Sequence, residues 1–510
     1  MRTKHSLINL IVNVGSSIFL LVLGFLKVRF FINTYGSDIN GMQLTLMQYI
    51  TYFNVFELAY SLGFRQLMYK PLANNDKNSV LNIYFGAKKI FRYTGSFLFI
   101  IGFIFVLILP MLTKVSTISN VSTISTFLIL FIPFILSYFM MGPNLIIAAD
   151  QKEYKINIWI QGVAVTRMLL MIICILLKLP VITIFIIEGL QVFIANFIAR
   201  NIALKNYPWL KENPTDKTNK DFKNTIKYTL AYRLSVIANN NTDNIIISLF
   251  YGFKLVSIYG SYSYFIEAIN RLLVSVIAAP FNSFGNLFND KSKNPYMIFM
   301  ELYTLSSYLG TIIGVVVFIV MNQLVYYWIG DSSYILGPLA SALFAINIFY
   351  MTQREPILMC RDTNGLFKEA LKNSLLIIST KIILSIILGQ YLEIIGILLA
   401  TSISLWFVDF FYTPKLVYHK VFNKSVFEYY KLLISRIIIF ILLGLISSYL
   451  WNICDEFTNT RMLYFLFAAF ILGICIVIIV TIIYYCFYES FRNLIKRFLV
   501  VVKGRLNVEN

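Results

Sequence analysis

Most ionisable and amide side chains in this sequence lie between apolar stretches, so those that fall inside such stretches are the first candidates for chemistry. One stretch contains NNNTDN, from Asn239 to Asn244, and Arg233 shares a helical face there with Asn240, Asn244 and Ser248. In the next, Tyr264, Glu267, Arg271, Ser275 and Asn282 align along one stripe. Glu267 and Arg271 are spaced i, i+4 and can neutralise each other; otherwise Arg271 is a cation open to an anionic substrate. Near the N-terminus, Asn9, Asn13, Ser16, Gly24 and Lys27 lie within about 60° of one another at 100° per residue, and Gln43, Asn54, Glu57, Ser61 and Arg65 repeat the pattern. Arg29 points away from Lys27 and reads either as an interface anchor or as a second cation of the site. Arg65 has the same two readings. Glu57, Asp243 and Glu267 are the carboxylates that could change protonation or coordinate an ion. The amide run has a structural alternative, hydrogen bonding between helices.

These residues sit on elements of one kind. The chain has 510 residues, of which 58% are hydrophobic and 13% charged, against about 25% charged in soluble domains. Apolar runs near 20 residues match helices that cross a hydrocarbon core of about 30 Å. They do not alternate as barrel strands do. The expected architecture is an all-α polytopic membrane protein of about fourteen transmembrane helices. Its expected divisions are six spans in 1–204, a linker at 205–225, six more spans in 226–412, an inner loop at 413–431, a last pair in 432–487 and a tail at 488–510. With the N-terminus inside, 33 of the 43 Lys and Arg fall to inner segments and 6 to outer ones, which puts both termini in the cytoplasm. The net charge of +19 is thus a topology signal and an affinity for anionic inner-leaflet lipid, with no nucleic acid implied.

The two six-span lobes read as a parallel repeat. INTYGSDINGMQL contains Tyr35 and Gly36, ISLFYGFKLVSIY contains Tyr251 and Gly252, and each precedes a long span that ends near an Asn-Asp pair, Asn75-Asp76 and Asn289-Asp290. Such repeats usually place a substrate path between the halves. Glu188, Arg167, Lys381 and Asp409 are isolated charges on otherwise apolar spans and are expected to pair locally or to snorkel.

Catalytic signatures are missing. The two histidines, His5 and His419, lie far apart, no nucleotide-binding or nucleophile motif occurs, and the loops are too short for a catalytic domain. The five cysteines lack metal-ligand spacing and read as packing residues. No catalytic residue, metal site or resident cofactor is expected, and a sodium ion or proton gradient is the only energy source the residues suggest. What remains is transport.

RFFINTYGSDINGMQL with Gly63 and LMYKPLANND, then NTDNIIISLFYG with Tyr259, then REPILMCRDTNGLFKEALKN, together resemble the bacterial polysaccharide transporters. These are the flippases of lipid-linked O-antigen and capsule repeat units, within the superfamily that also holds multidrug extruders and the lipid II flippase. The resemblance implies two six-helix lobes around a cavity lined by spans one, two, seven and eight. It also implies a lipid-tail groove beside the last pair and a substrate in the form of a polyprenyl-pyrophosphate-linked oligosaccharide. On this reading Lys27, Arg29, Arg65, Arg233 and Arg271 attract the diphosphate. Asn9, Asn13, Gln43, Asn54, Asn240, Asn244, Tyr264 and Asn282 line the cavity. Membrane lipids and the polysaccharide polymerase machinery are the implied partners, in the cytoplasmic membrane. A multidrug extruder of the same fold, a non-transporting envelope scaffold and a membrane glycosyltransferase are the alternatives.

Overall fold

Uninterrupted apolar sequence with few helix breakers leaves the backbone one economical solution in lipid, which is to satisfy every N–H and C=O inside a helix. The computed structural model describes residues 2–115, 117–150, 152–212, 230, 234, 237, 241–281, 295–364, 366–453 and 461–506, and every regular element among them is a helix. Nine helical segments among the described residues are long and apolar enough to cross a bilayer, which makes this a multi-pass membrane protein. The chain divides into two compact units, residues 1–260 and 261–510.

In the first unit α1 (Arg2–Tyr35), α2 (Ser37–Phe53) and α3 (Val55–Ala73) are followed by α4 (Lys77–Leu112), α5 (Asn120–Tyr138) and the short α6 (Pro143–Ala149). Then come α7 (Tyr154–Leu176), α8 (Val181–Asn206), a 3-10 turn at Pro208–Lys211 and α9 (Asp243–Tyr251). Local chemistry sets the ends. Asp76 caps α4 by accepting the Ser79 N–H at 3.0 Å, and Ser119 caps α5 through the Ser122 N–H at 3.3 Å. The expected second span is divided at Asn54 into α2 and α3, and the Tyr138 hydroxyl donates to the Phe53 carbonyl at 3.0 Å beside the break. The expected fourth span is divided at Gly142, whose φ of 120° lets Pro143 start α6. Phe53, Phe127, Phe131, Phe134 and Tyr138 form a ladder of rings through the core, with centroids 5.0 to 6.3 Å apart.

The repeat has a counterpart in the backbone. Gly36 (φ 90°, ψ 165°) and Gly252 (φ 80°, ψ −174°) adopt nearly the same left-handed turn, each following a tyrosine and opening a new helix. The second helix is α10 (Phe253–Phe281), which begins in the first unit.

The second unit holds the rest of α10, then α11 (Pro295–Ile329), α12 (Pro338–Thr363) and α13 (Phe367–Ile403). Inside α13 the chain turns at Glu393 (φ 51°, ψ −132°), between the eleventh and twelfth expected spans. A π-helical stretch at Ser404–Asp409 leads into α14 (Phe410–Val417), and helix runs on to Phe422 where the sequence suggests loop from 413. α15 (Phe427–Ile453), α16 (Met462–Phe487) and α17 (Glu489–Leu506) complete the unit, α17 lying in the expected tail. α11 is the hub, packed against α12, α15, α16 and α17.

Candidate functional site

Four spans of the first unit bring a charged network into the apolar interior. Lys27 of α1 donates from Nζ to Gln43 Oε1 of α2 at 3.0 Å and lies 4.6 Å from the centre of the Phe31 ring. Gln43 Nε2 donates to Glu188 Oε2 of α8 at 3.3 Å, and Arg167 of α7 pairs with the other carboxylate oxygen. Lys27 and Gln43 are buried. Arg167 thus pairs with Glu188 directly and Lys27 reaches it through Gln43, and among the described residues no second carboxylate joins the network. Arg167 and Glu188, each expected to pair locally or to snorkel, pair with each other within a network that also holds a predicted site cation. Complementary charges midway along consecutive spans were the available signal. Arg29 is half-buried.

A second polar feature lies between α3, α6, α7 and α8. Glu57, Ser61 and Arg65 line a cavity of about 190 Å3 together with Asn144, Glu153, Asn157 and Asn196. Arg65 pairs with Glu153 at 3.0 Å, both partly exposed, and Asn144 Nδ2 donates to Asn196 Oδ1 at 3.3 Å. A pair as exposed as this is worth at most about 1 kcal/mol. Arg65 is therefore engaged within its own unit. Glu57 is half-buried beside it. Asn54 stands at the break between α2 and α3, its Oδ1 buried with no hydrogen-bond donor among the described residues.

The amide-rich segment meets α2 and the start of α10. Thr242 shares a hydrogen bond with the Tyr52 hydroxyl at 2.7 Å, Asp243 Oδ2 accepts from Tyr259 at 2.8 Å, and Asn40 Nδ2 donates to Ser257 Oγ at 2.8 Å. Asp243 and Asn244 are buried. Part of this run thus joins helices through hydrogen bonds. Arg233, Asn240 and Asn282 lie outside the described residues, as do the side chains of Asn9 and Asn13 on α1.

In the second unit Tyr264, Glu267 and Arg271 follow one stripe of α10, with Glu267 and Arg271 exposed. Arg271 Nε donates to the Glu267 carbonyl at 3.3 Å, and the Tyr264 ring lies 5.8 Å from Trp328. Two buried charge systems there extend beyond what the sequence suggests. Asp409, expected to pair locally, is fully buried and pairs with Arg354; it also accepts from Asn373 at 2.7 Å and Thr413 at 2.5 Å. The π-helical stretch ends at Asp409, and such turns are rare and frequent at functional sites. Arg436 of α15 is fully buried with no carboxylate partner among the described residues. It donates to Thr304 Oγ1 at 2.9 Å and to the Tyr303 carbonyl at 3.4 Å, with its guanidinium 4.0 Å from the Tyr303 ring. Its place toward one end of a span makes it look, in sequence, like an ordinary flanking cation. Among the described residues no three or more His, Cys, Asp and Glu gather to hold a metal ion.

No protein-family model matches the chain, and no curated protein matches it. Solved structures do. A structure described as lipid II flippase MurJ in an inward closed conformation aligns with a TM-score of 0.72 at 16% identity, over 95% of this chain and 100% of that one. An inward-facing multidrug resistance MATE family transporter of the MOP superfamily aligns at 0.59 and 12% identity, over 80% of this chain and 98% of that one. The MATE multidrug transporter DinF-BH aligns at 0.54 and 15% identity, over 81% and 95%. Identities this low establish architecture and leave substrate open. The chain has the all-helical membrane fold shared by these transporters.

Proposed function

We propose that this protein is a flippase that carries a polyprenyl-pyrophosphate-linked oligosaccharide from the inner to the outer leaflet of a bacterial cytoplasmic membrane. It does so by alternating access, for surface polysaccharide such as O-antigen or capsule, with both termini cytoplasmic. The observation that carries the reading is the fold match to a lipid II flippase along nearly the whole chain, where two multidrug transporters match about four fifths of it. Charge supports it. Lys27 and Arg167 outnumber Glu188, and Arg271 is exposed on a polar stripe, which suits an anionic diphosphate better than a cationic drug. Arg29, Arg65 and Arg233 extend the cationic set, and the amide and tyrosine side chains meet sugar hydroxyls. A sodium ion or proton gradient would act through Glu57, Asp243 or Glu267. The polysaccharide polymerase would receive the product.

Deletion with complementation tests this. Loss of surface polymer with accumulation of lipid-linked repeat units on the inner leaflet, restored by wild type and not by Arg271→Ala, is the expected result. Normal polymer and precursor in the deletion strain, with no second flippase present, would overturn it. Raised sensitivity to cationic drugs in that strain would move the assignment to an extruder.

A further inference from the structure

Another concavity lies in the first unit, apart from the residues assigned above. It has a volume of about 390 Å3 and is lined by Lys88 of α4, Arg200 of α8 and Lys211 of the 3-10 turn, with Tyr84, Phe85, Met140 and Leu204 among its walls. Arg92, one turn beyond Lys88, adds its charge, since both Arg92 and Arg200 act on Lys88 and on Tyr84. Among the described residues no carboxylate lines the pocket, and none of these four cations forms an ion pair. Asp150, the acidic residue after α6, is already held by Lys152 at 2.6 Å and by the Tyr207 hydroxyl at 2.5 Å. Burial, then the hydrogen bond to Asp150, pushes the Tyr207 hydroxyl upward, so it stays a neutral donor.

A flanking belt of basic residues spreads its charges toward water. Here cations from separate elements converge on one hollow. Gly142 packs beside two of its residues, and a Cβ at that position would press on the Tyr84 ring at 3.2 Å. Like charges held together repel unless an anion sits among them, and low-dielectric walls strengthen both effects. The pocket belongs to the bundle end that the Lys and Arg bias assigns to the inner leaflet, where anionic lipid concentrates.

We propose that this pocket binds a phosphate group, with Lys88, Arg200 and Lys211 as its ligands and the aromatic and aliphatic walls receiving what the phosphate is attached to. The group is either the headgroup of an anionic phospholipid or a free phosphate in the cytoplasm, and the two sources separate experimentally. The full chain is placed in nanodiscs of phosphatidylcholine alone or with phosphatidylglycerol. Wild type, the double variant Lys88→Gln/Arg200→Gln and the control Lys70→Gln/Lys77→Gln are compared by native mass spectrometry and by thermal unfolding with added inorganic phosphate. Retention of phosphatidylglycerol by wild type and control, reduced at least fivefold in the double variant, identifies a lipid headgroup. Stabilisation by inorganic phosphate in phosphatidylcholine alone, abolished in the double variant, identifies a soluble phosphate. Lys211→Glu, exposed and outside the long helices, repeats the test without disturbing packing and is expected to weaken binding in the same direction. Equal retention and equal stabilisation in all variants, or no binding of either probe by wild type, would overturn the proposal.

Discussion

Glu188 holds Arg167 directly and Lys27 through Gln43, and that gives it more weight than either partner. Removing one member of a buried ion pair leaves the other charge uncompensated and costs about 3–5 kcal/mol. Glu188→Ala should therefore lower the unfolding temperature in nanodiscs far more than a surface change. The double substitution Arg167→Met/Glu188→Leu should recover most of the loss, since it removes the charges together. A double variant no more stable than Glu188→Ala would mean that Lys27, through Gln43, depends on the carboxylate more than Arg167 does. The individual members were legible in the sequence. Helical periodicity put Lys27 and Gln43 on polar faces, but a face gives a direction on one helix and says nothing of which neighbour waits there. For the same reason neither reading of Arg65 included Glu153, which reaches it from a later loop.

Among elements, close approach decides tolerance. A Cβ on Gly41 of α2 would sit 1.7 Å from the Phe253 carbonyl oxygen at the start of α10, and one on Gly310 of α11 would sit 1.8 Å from Thr352 Oγ1 of α12. Gly162 of α7 has nothing within 4 Å. Overpacking costs about 1–3 kcal/mol, and a backbone obstacle belongs at the upper end. Gly41→Ala and Gly310→Ala should reduce folded protein in membranes and lower the unfolding temperature. Gly162→Ala should hold or raise it, because alanine is the better helix former by about 1 kcal/mol. At the α13 turn the reverse applies, since Glu393 occupies a left-handed conformation that costs a residue with a Cβ about 1–3 kcal/mol. Glu393→Gly should stabilise by roughly 1 kcal/mol after the extra freedom glycine gains in the unfolded chain. Membrane-spanning length and the repeated Tyr-Gly pairs were readable here because both are local. The breaks at Asn54 and Gly142 were not, because continuous hydropathy conceals a helix that stops and restarts.

For the whole molecule, the alternation of loops is open to a direct test. In a background with the five cysteines replaced, a cysteine at Asn75 should react with an impermeant thiol reagent only after the cells are opened, and one at Lys178 should react in intact cells. Labelling of both positions from the same side would break the assigned orientation. Arg436 carries a different consequence, which concerns the order of synthesis. A guanidinium within a span costs up to about 2.5–3.5 kcal/mol on insertion, and nothing described on α15 offsets it. Its acceptors on α11 lie about 130 residues earlier in the chain, Thr304 being 132 residues away, so they are already in the bilayer when α15 leaves the ribosome. A circular permutant that begins with α15 would present the arginine to lipid before its hydrogen-bond partners exist. The native order of translation should therefore ease the insertion of α15.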